Sequence, residues 1–212
     1  MQKTGCYDCE IRNSVNGETV SCSVVSSDAC ELTLDPNTAY KQLVLSLCDR
    51  KVSCVEQMQS YPNHADRFEQ YPQLLCRNAL TGRCYWEVEW RGEVDIAVAY
   101  GRIKRNGKSV DCRFGRNNQS WSLLCSVGGY SVWHDNRETV IPLPSSPSCV
   151  SNRVAVYVDC PAGTLSFYSV YSCKLIHLHT FNSTFIEPIY AGFGFGFGFG
   201  SWLGFSVFLC EL

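Results

Sequence analysis

The feature that most constrains the fold is a strict alternation of apolar and polar side chains in short runs. Arg83 to Trp90 alternates in this way, and so does Val94 to Tyr100. A period of two residues is typical of a β-strand that buries one face. Further short apolar runs, separated by turn residues, cover residues 120–125, 130–133, 153–159, 164–170, 175–179 and 189–199.

Roughly ten such strands, with no amphipathic helix between them, predict an all-β antiparallel sandwich of two sheets. Thr38 to Leu47 and Ala65 to Cys76 are the only segments expected to hold a helical turn or two. Gly128-Gly129 and Asn106-Gly107 are typical of two-residue hairpin turns. Cys160 to Gly163 predicts another tight turn.

The chain of 212 residues is long enough for one domain with a core of good size. A net charge of −2, together with 45% hydrophobic residues, excludes a disordered chain and gives no overall attraction to nucleic acid or to anionic membranes. Residues 1–29 are polar and show neither the period of a helix nor that of a strand. We therefore interpret them as a poorly structured leader that contains Cys6, Cys9 and Cys22. The folded domain is predicted to cover residues 30–212.

A stretch of 23 residues without charge, from 188 to 210, is long enough to cross a bilayer. Its centre, however, alternates phenylalanine and glycine from Gly192 to Gly200. A helix of this composition would contain a glycine at every second position, at a cost of nearly ~1 kcal/mol each. We therefore predict a strand that carries Phe193, Phe195, Phe197 and Phe199 on one face, and no membrane span.

The fourteen cysteines raise the question of the redox compartment. The first residues contain no apolar segment of the kind found in a secretory signal, so a cytoplasmic location with reduced thiols is expected. In that compartment the glycosylation sequons at Asn118 and Asn182 carry no meaning.

A search for catalytic and metal-binding motifs gives no active site. Asn106-Gly107-Lys108-Ser109 ends like a phosphate loop, but Gly101 is one residue too far away and no helix follows. Glu87 and Glu89 could imitate an acid/base pair, but two acids on one strand face are typical of a solvated sheet surface.

Two arrangements could seed a metal site. The thiols of Cys6, Cys9, Cys22 and Cys30 could bind zinc, but the spacing of the last pair is too long. His177 and His179 share a strand face without an obvious third ligand. We therefore predict a protein without enzymatic activity, cofactor or metal.

One local charge feature remains between residues 102 and 116. This basic segment contains a single acid, Asp111, and six basic residues: Arg102, Lys104, Arg105, Lys108, Arg113 and Arg116. Such a segment can contact phosphate, RNA or an acidic partner. The alternative is a hairpin that charge keeps soluble.

Several motifs, in order, resemble a known family. Leu34 to Ala39 and Arg50 to Val52 are similar to the PRY segment of B30.2 domains, about residues 30–80. Gly82 to Trp90 contains the Trp-Glu-Val-Glu motif that opens the SPRY part, about residues 81–212, and Val158 to Tyr168 resembles its third motif. Residues 61–68 and 188–193 resemble the version found in fish, at the end of NOD-like receptors and of stonustoxin-type toxins. The domain is also similar to that of tripartite-motif ubiquitin ligases and butyrophilins.

This resemblance implies a bent β-sandwich that binds a protein partner through variable loops, in innate immune sensing or in ubiquitin-ligase targeting. The loops concerned are expected near residues 60–73, 102–118, 126–137 and 179–186. A fragment of a toxin-like, membrane-active protein is the remaining alternative. The third motif departs from the family, because Cys160-Pro161 replaces its usual Tyr-Glu.

The resemblance also implies a set of contact residues. Asp95 and Phe185 match an aspartate and a phenylalanine of the family's ligand pocket, whereas Leu124 and Ser126 stand where it has tryptophans. Aromatic anchors from the next strand can compensate for that loss. The predicted partner-binding residues are Asp95, Leu124, Ser126, Tyr130, Trp133, His134, Asn182 and Phe185.

Overall fold

The computed structural model describes residues 8–12, 19–23, 28–142, 151–172, 174–196 and 202–212. Within the segment that was interpreted as a leader, β1 (Asp8–Arg12) and β2 (Thr19–Ser23) form a two-stranded antiparallel hairpin. Cys6 lies outside the described residues. All other named strands belong to two antiparallel sheets.

The larger sheet has seven strands: β3 (Leu43–Ser46), β4 (Lys51–Cys54), β6 (Arg83–Arg91), β11 (Arg153–Asp159), β12 (Thr164–Tyr171), β13 (Lys174–Asn182) and β15 (Ser206–Leu209). Their order in the sheet is β13-β12-β11-β6-β15-β4-β3. Strand β6 therefore lies at the centre, and it carries the Trp-Glu-Val-Glu motif.

The second sheet has six strands: β5 (Gln73–Leu80), β7 (Val94–Tyr100), β8 (Ser120–Ser126), β9 (Gly129–His134), β10 (Arg137–Ile141) and β14 (Ile189–Phe195). Their order in the sheet is β10-β9-β8-β7-β14-β5. Strand β7 is buried along its whole length, because loops pack over the side that faces away from the other sheet. The predicted all-β sandwich of two antiparallel sheets is thus confirmed.

The core lies between the two sheets and is built from the alternating positions. Trp86, Val88 and Trp90 of β6 are buried there, as predicted for the apolar face of this strand. The opposite face of β6 differs from the prediction. Glu87 is only 5% exposed, because its carboxylate accepts hydrogen bonds from the Tyr85 hydroxyl and from the Arg153 guanidinium. Arg153 belongs to β11, so the alternation within β6 alone does not reveal this partner.

The expected helical turns are not formed in the described residues. Instead, β3 occupies residues 43–46 and β5 begins at Gln73. A short 3₁₀ turn forms at Val110–Cys112, outside both segments. Tertiary pairing, of β3 with β4 and of β5 with β14, decides the conformation of these short segments.

The first half of the phenylalanine–glycine run forms a strand, as predicted. In β14, Phe193 and Phe195 are fully buried between the sheets, whereas Gly192 faces the opposite way. A Cβ at Gly192 would lie 2.8 Å from both Leu75 Cδ2 and Phe114 Cζ, so glycine allows the loop that carries Phe114 to approach the sheet closely. Phe197 and Phe199 lie outside the described residues. No helix in the described part of the chain is long and apolar enough to cross a membrane.

The turn at residues 160–163, which joins β11 to β12, is confirmed. The hairpin of β8 and β9 is confirmed as well, but its turn residues are Val127 and Gly128 instead of Gly128 and Gly129, because Gly129 already pairs with Ser126. The prediction for Asn106-Gly107 was wrong. These residues lie within the long connection, residues 101–119, that joins β7 to β8.

The close approach at Gly192 leads to a stability prediction. Gly192→Ala should lower the free energy of unfolding by about 1–3 kcal/mol, because the added methyl group overpacks the contact with Leu75 and Phe114. Gly128→Ala serves as the control, since the nearest atom to its Cβ would be 3.6 Å away. The control should remain within about 1 kcal/mol of wild type in urea unfolding. Equal effects of the two substitutions would contradict this account.

Candidate functional site

The long connection folds back over the outer face of the six-stranded sheet, which is the face turned away from the other sheet. The buried side chain of Gln73 holds it there at two points. Gln73 Nε2 donates a hydrogen bond to the Cys112 carbonyl oxygen over 2.6 Å, and Gln73 Oε1 accepts one from the Phe114 amide over 2.9 Å. Gly115 follows with φ +71, and any Cβ there would overlap Ser122 and Trp133. The connection is therefore seated tightly on β8 and β9.

Asp95 lies beneath this connection and is 1% exposed. Its Oδ1 accepts a hydrogen bond from the Ser122 hydroxyl over 3.1 Å. Its Oδ2 is buried and has no hydrogen-bond partner among the described residues. Burial raises the pKa of Asp95 to about 6, and the nearby guanidinium groups of Arg113 and Arg116 limit that rise.

The register of the sheet places several predicted residues in one row with Asp95. Leu124 is the β8 partner of Asp95, Ser131 is the β9 partner of Leu124, and Val140 is the β10 partner of Ser131. Paired residues share a face, so all four side chains lie on the outer face. Leu124 is half-buried and Val140 is 69% exposed.

Trp133 and Ser126 lie on the same outer face as this row. Trp133 is half-buried; its Nε1 donates a hydrogen bond to Ser131 Oγ over 3.1 Å, and the Arg116 guanidinium lies over its ring. The Ser126 hydroxyl is engaged in the β8–β9 turn, where it accepts from the Gly128 amide. We name this surface the Asp95 patch, which comprises Asp95, Leu124, Ser126, Ser131, Trp133 and Val140.

A second group of predicted residues lies elsewhere, on the inner side of the same sheet. The His134 ring stacks on Trp121 at a centroid distance of 4.8 Å, and the Phe185 ring meets Trp121 edge-on at 5.3 Å. Trp121 belongs to the core between the sheets, whereas its neighbour Ser122 faces Asp95. The Phe181 ring of β13 meets the His134 ring at a centroid distance of 6.1 Å. We name Trp121, His134, Phe181 and Phe185 the rim cluster. It is separated from the Asp95 patch by the sheet itself.

The two remaining predicted residues join neither group. Tyr130 is 4% exposed, its ring packs edge-on against Trp90, and its hydroxyl donates to the Ser151 carbonyl oxygen over 2.8 Å. Its side chain is therefore part of the core. Asn182 is exposed at the end of β13, opposite Thr164.

The basic segment does not form one patch. The Arg105 guanidinium donates to the carbonyl oxygens of Asp66, Ile103 and Gly101 and lies over the ring of Phe68. Arg113 and Arg116 interact with Asp95, as described above. Only Arg102, Lys104 and Lys108 are exposed, and Arg102 forms an ion pair with Glu187 over 3.1 Å.

Two residues of this region were missed by the sequence analysis. Trp121 organises the rim cluster, and Val140 supplies the exposed end of the row across the Asp95 patch. The alternation of residues 120–125 indicates which face Trp121 takes. Residues 137–141 were not recognised as a strand, because only Val140 and Ile141 are apolar there.

Comparison with known proteins identifies the family of this fold. The model of the SPRY-associated domain, PRY, matches residues 32–80, and the model of the SPRY domain matches residues 83–207. The chain therefore belongs to the PRY-SPRY (B30.2) family, as its motifs predicted. SPRY domains are protein-interaction domains and generally have no catalytic activity.

Relatives with curated descriptions include toxins and tripartite-motif proteins. Stonustoxin subunit beta of Synanceia horrida is 39% identical over 77% of this chain and 23% of its own length. Tripartite motif-containing protein 16 of Mus musculus is 34% identical over 78% of this chain and 29% of its own length. This chain spans about a quarter of the length of the toxin subunits that it matches.

Solved structures show the same architecture. A stonustoxin structure aligns with a TM-score of 0.78 and 36% identity, over 86% of this chain and 29% of that chain. A crystal structure of the TRIM65 PSpry domain aligns with a TM-score of 0.74 and 25% identity, over 91% of this chain and 99% of that chain.

The raised pKa of Asp95 predicts a specific pH dependence of stability. In the unfolded chain the carboxyl ionises near pH ~4, whereas in the folded protein it ionises at about pH 6. Its contribution therefore favours folding below about pH 4 and is lost as the pH rises through about 6, by an amount on the order of 2–3 kcal/mol.

Urea unfolding of wild type and Asp95→Asn across this pH range measures that contribution. The free energy of unfolding of wild type should fall relative to that of the variant between about pH 4 and about pH 7. Glu56→Gln, at an exposed position, is the control and should leave the pH dependence unchanged. A constant difference between wild type and Asp95→Asn would show that the carboxyl does not titrate as proposed.

Proposed function

We propose that this domain recognises a protein partner through the Asp95 patch. The observation that carries the proposal is the row Asp95–Leu124–Ser131–Val140, which crosses four neighbouring strands on one face. Leu124 and Val140 of this row offer apolar surface on a rigid sheet, so little conformational freedom is lost when a partner binds. Trp133, a residue type enriched in interface hot spots, lies beside this row.

The electrostatics of the patch support recognition of polar groups as well. Asp95 Oδ2 is an acceptor without a hydrogen bond, next to the two guanidinium groups of Arg113 and Arg116. A buried acceptor without a partner is costly. A partner that supplies a donor there, after a small movement of the connection, would remove that cost.

This assignment narrows the set of residues that the sequence suggested. Asp95, Leu124, Ser126 and Trp133 stay in the proposed site. His134 and Phe185 belong to the rim cluster, and Asn182 lies apart from both groups at the end of β13. Tyr130 is left out because its side chain is in the core. The basic segment is less suited to RNA, because Arg105, Arg113 and Arg116 are engaged within the domain.

The biological setting is proposed on the basis of the family. Similarity to tripartite-motif proteins supports a role in innate immune sensing or in targeting a ubiquitin ligase, in the cytoplasm. Similarity to stonustoxin subunits supports the alternative of a module within a membrane-active protein. In either setting, the Asp95 patch would serve for recognition.

Substitution at Val140 tests the proposal. Affinity purification from native cells, with the full chain as bait, identifies a partner whose affinity is then measured by titration calorimetry. Val140→Glu should weaken binding at least about tenfold, which corresponds to about 1.4 kcal/mol, because a carboxylate is placed in the apolar part of the interface.

Met58→Glu is a matched control, since Met58 and Val140 are both 69% exposed. The control should bind as wild type does. Unchanged binding by Val140→Glu and by Leu124→Glu, in variants that unfold at the wild-type urea concentration, would contradict the assignment of the site.

A further inference from the structure

Three cysteine thiols converge where the chain enters the domain. Cys84 is buried in the core at the start of β6, and half-buried Cys30 and Cys160 pack against the same core. The Cys84 thiol donates to the Thr81 carbonyl oxygen over 3.8 Å. Burial raises its pKa, and the thiols of Cys30 and Cys160 lie close enough to raise that pKa further. None of the three takes part in the Asp95 patch.

Backbone contacts hold these thiols together. The Cys30 amide donates to the Tyr85 carbonyl oxygen over 2.9 Å, and Ala29 forms a parallel bridge with Tyr85. The Cys160 amide donates to the Gly82 carbonyl oxygen over 2.8 Å, at the end of the β11–β6 pairing. The residues around Cys84 are therefore fixed on both sides.

We propose that Cys30 and Cys84 are a site of disulfide formation by exchange with a small disulfide such as oxidised glutathione. Cys30 reacts first, because it lines a surface cavity of about 460 Å³ that Cys84 does not line. Its thiolate attacks one glutathione sulfur, a mixed disulfide forms, and one glutathione thiolate leaves.

Cys84 then completes the reaction. Its thiolate attacks the Cys30 sulfur and expels the second glutathione thiolate, so that two protein thiols are oxidised by two electrons and one glutathione disulfide is reduced to two thiols. The two protons released by the cysteines end on the two glutathione thiolates. Burial raises the pKa of Cys84 to about 12, so its attack depends on the proximity of the mixed disulfide.

The bond would join the segment that precedes the domain to a central strand of the seven-stranded sheet. It closes the chain between residues 30 and 84 into a loop, which lowers the entropy of the unfolded state. Cys160 and Cys210 are the competing thiols. Cys160 lies beside Cys84, and Cys210 lines the same cavity as Cys30.

Peptide mapping of the native full chain tests the proposal. The protein is incubated with oxidised glutathione in native buffer, its free thiols are blocked with N-ethylmaleimide, and it is digested without reduction. Mass spectrometry should find the peptides of Cys30 and Cys84 joined, with the loss of two hydrogens. The urea midpoint should rise after oxidation and return to its initial value with dithiothreitol.

Two variants complete the experiment. Cys30→Ser should abolish both the crosslink and the rise of the urea midpoint. Cys48→Ser, which removes an exposed thiol at the β3–β4 turn, should change neither. The proposal would be overturned if Cys30 and Cys84 both carried N-ethylmaleimide after the incubation with oxidised glutathione. A disulfide from Cys30 to Cys160 or to Cys210 would overturn it as well.

Discussion

The burial of alternating side chains from both sheets in one common core is the constraint on which the rest of the structure depends. Trp86 and Trp90 of β6 belong to the same core as the fully buried Phe193 and Phe195 of β14. Large rings at every second position fix which face of each strand is inside. The outer face of the six-stranded sheet is thereby fixed as well, and the Asp95 patch is displayed on it.

The sequence predicted the fold well because alternation is a local signal. Trp86 and Phe193 indicate their buried faces without knowledge of any partner. The prediction was wrong for Glu87 and for Asn106-Gly107, where the outcome depends on distant residues. Arg153 of β11 neutralises Glu87, and Gln73 of β5 holds the connection between β7 and β8. Neither partner can be assigned from spacing.

The candidate site was predictable only in part, for the same reason. Register places Asp95 beside Leu124 on one face of the sheet and His134 beside Trp121 on the other face, where the Phe185 ring from the β13–β14 loop also packs. Sequence order shows which residues are near in the chain, whereas strand pairing and face decide which are near in space. The basic segment is likewise divided by its surroundings, because Arg113 and Arg116 lie near the buried carboxyl of Asp95 and limit the rise in its pKa that burial causes, whereas Arg102, Lys104 and Lys108 are exposed.

The uneven anchoring of the long connection has a consequence for how such a domain diversifies. Its second half is held by Gln73 and by the fit of Gly115, whereas six consecutive residues of its first half, Asn106 to Asp111, are all exposed. Replacement of those exposed side chains leaves the anchors at Gln73 and Gly115 in place. An insertion, in contrast, would displace the carbonyl oxygens of Asn106 and Asp111, which accept hydrogen bonds from Cys112 and Asn117. Natural selection can therefore vary the border of the proposed recognition surface by substitution, without rebuilding its base.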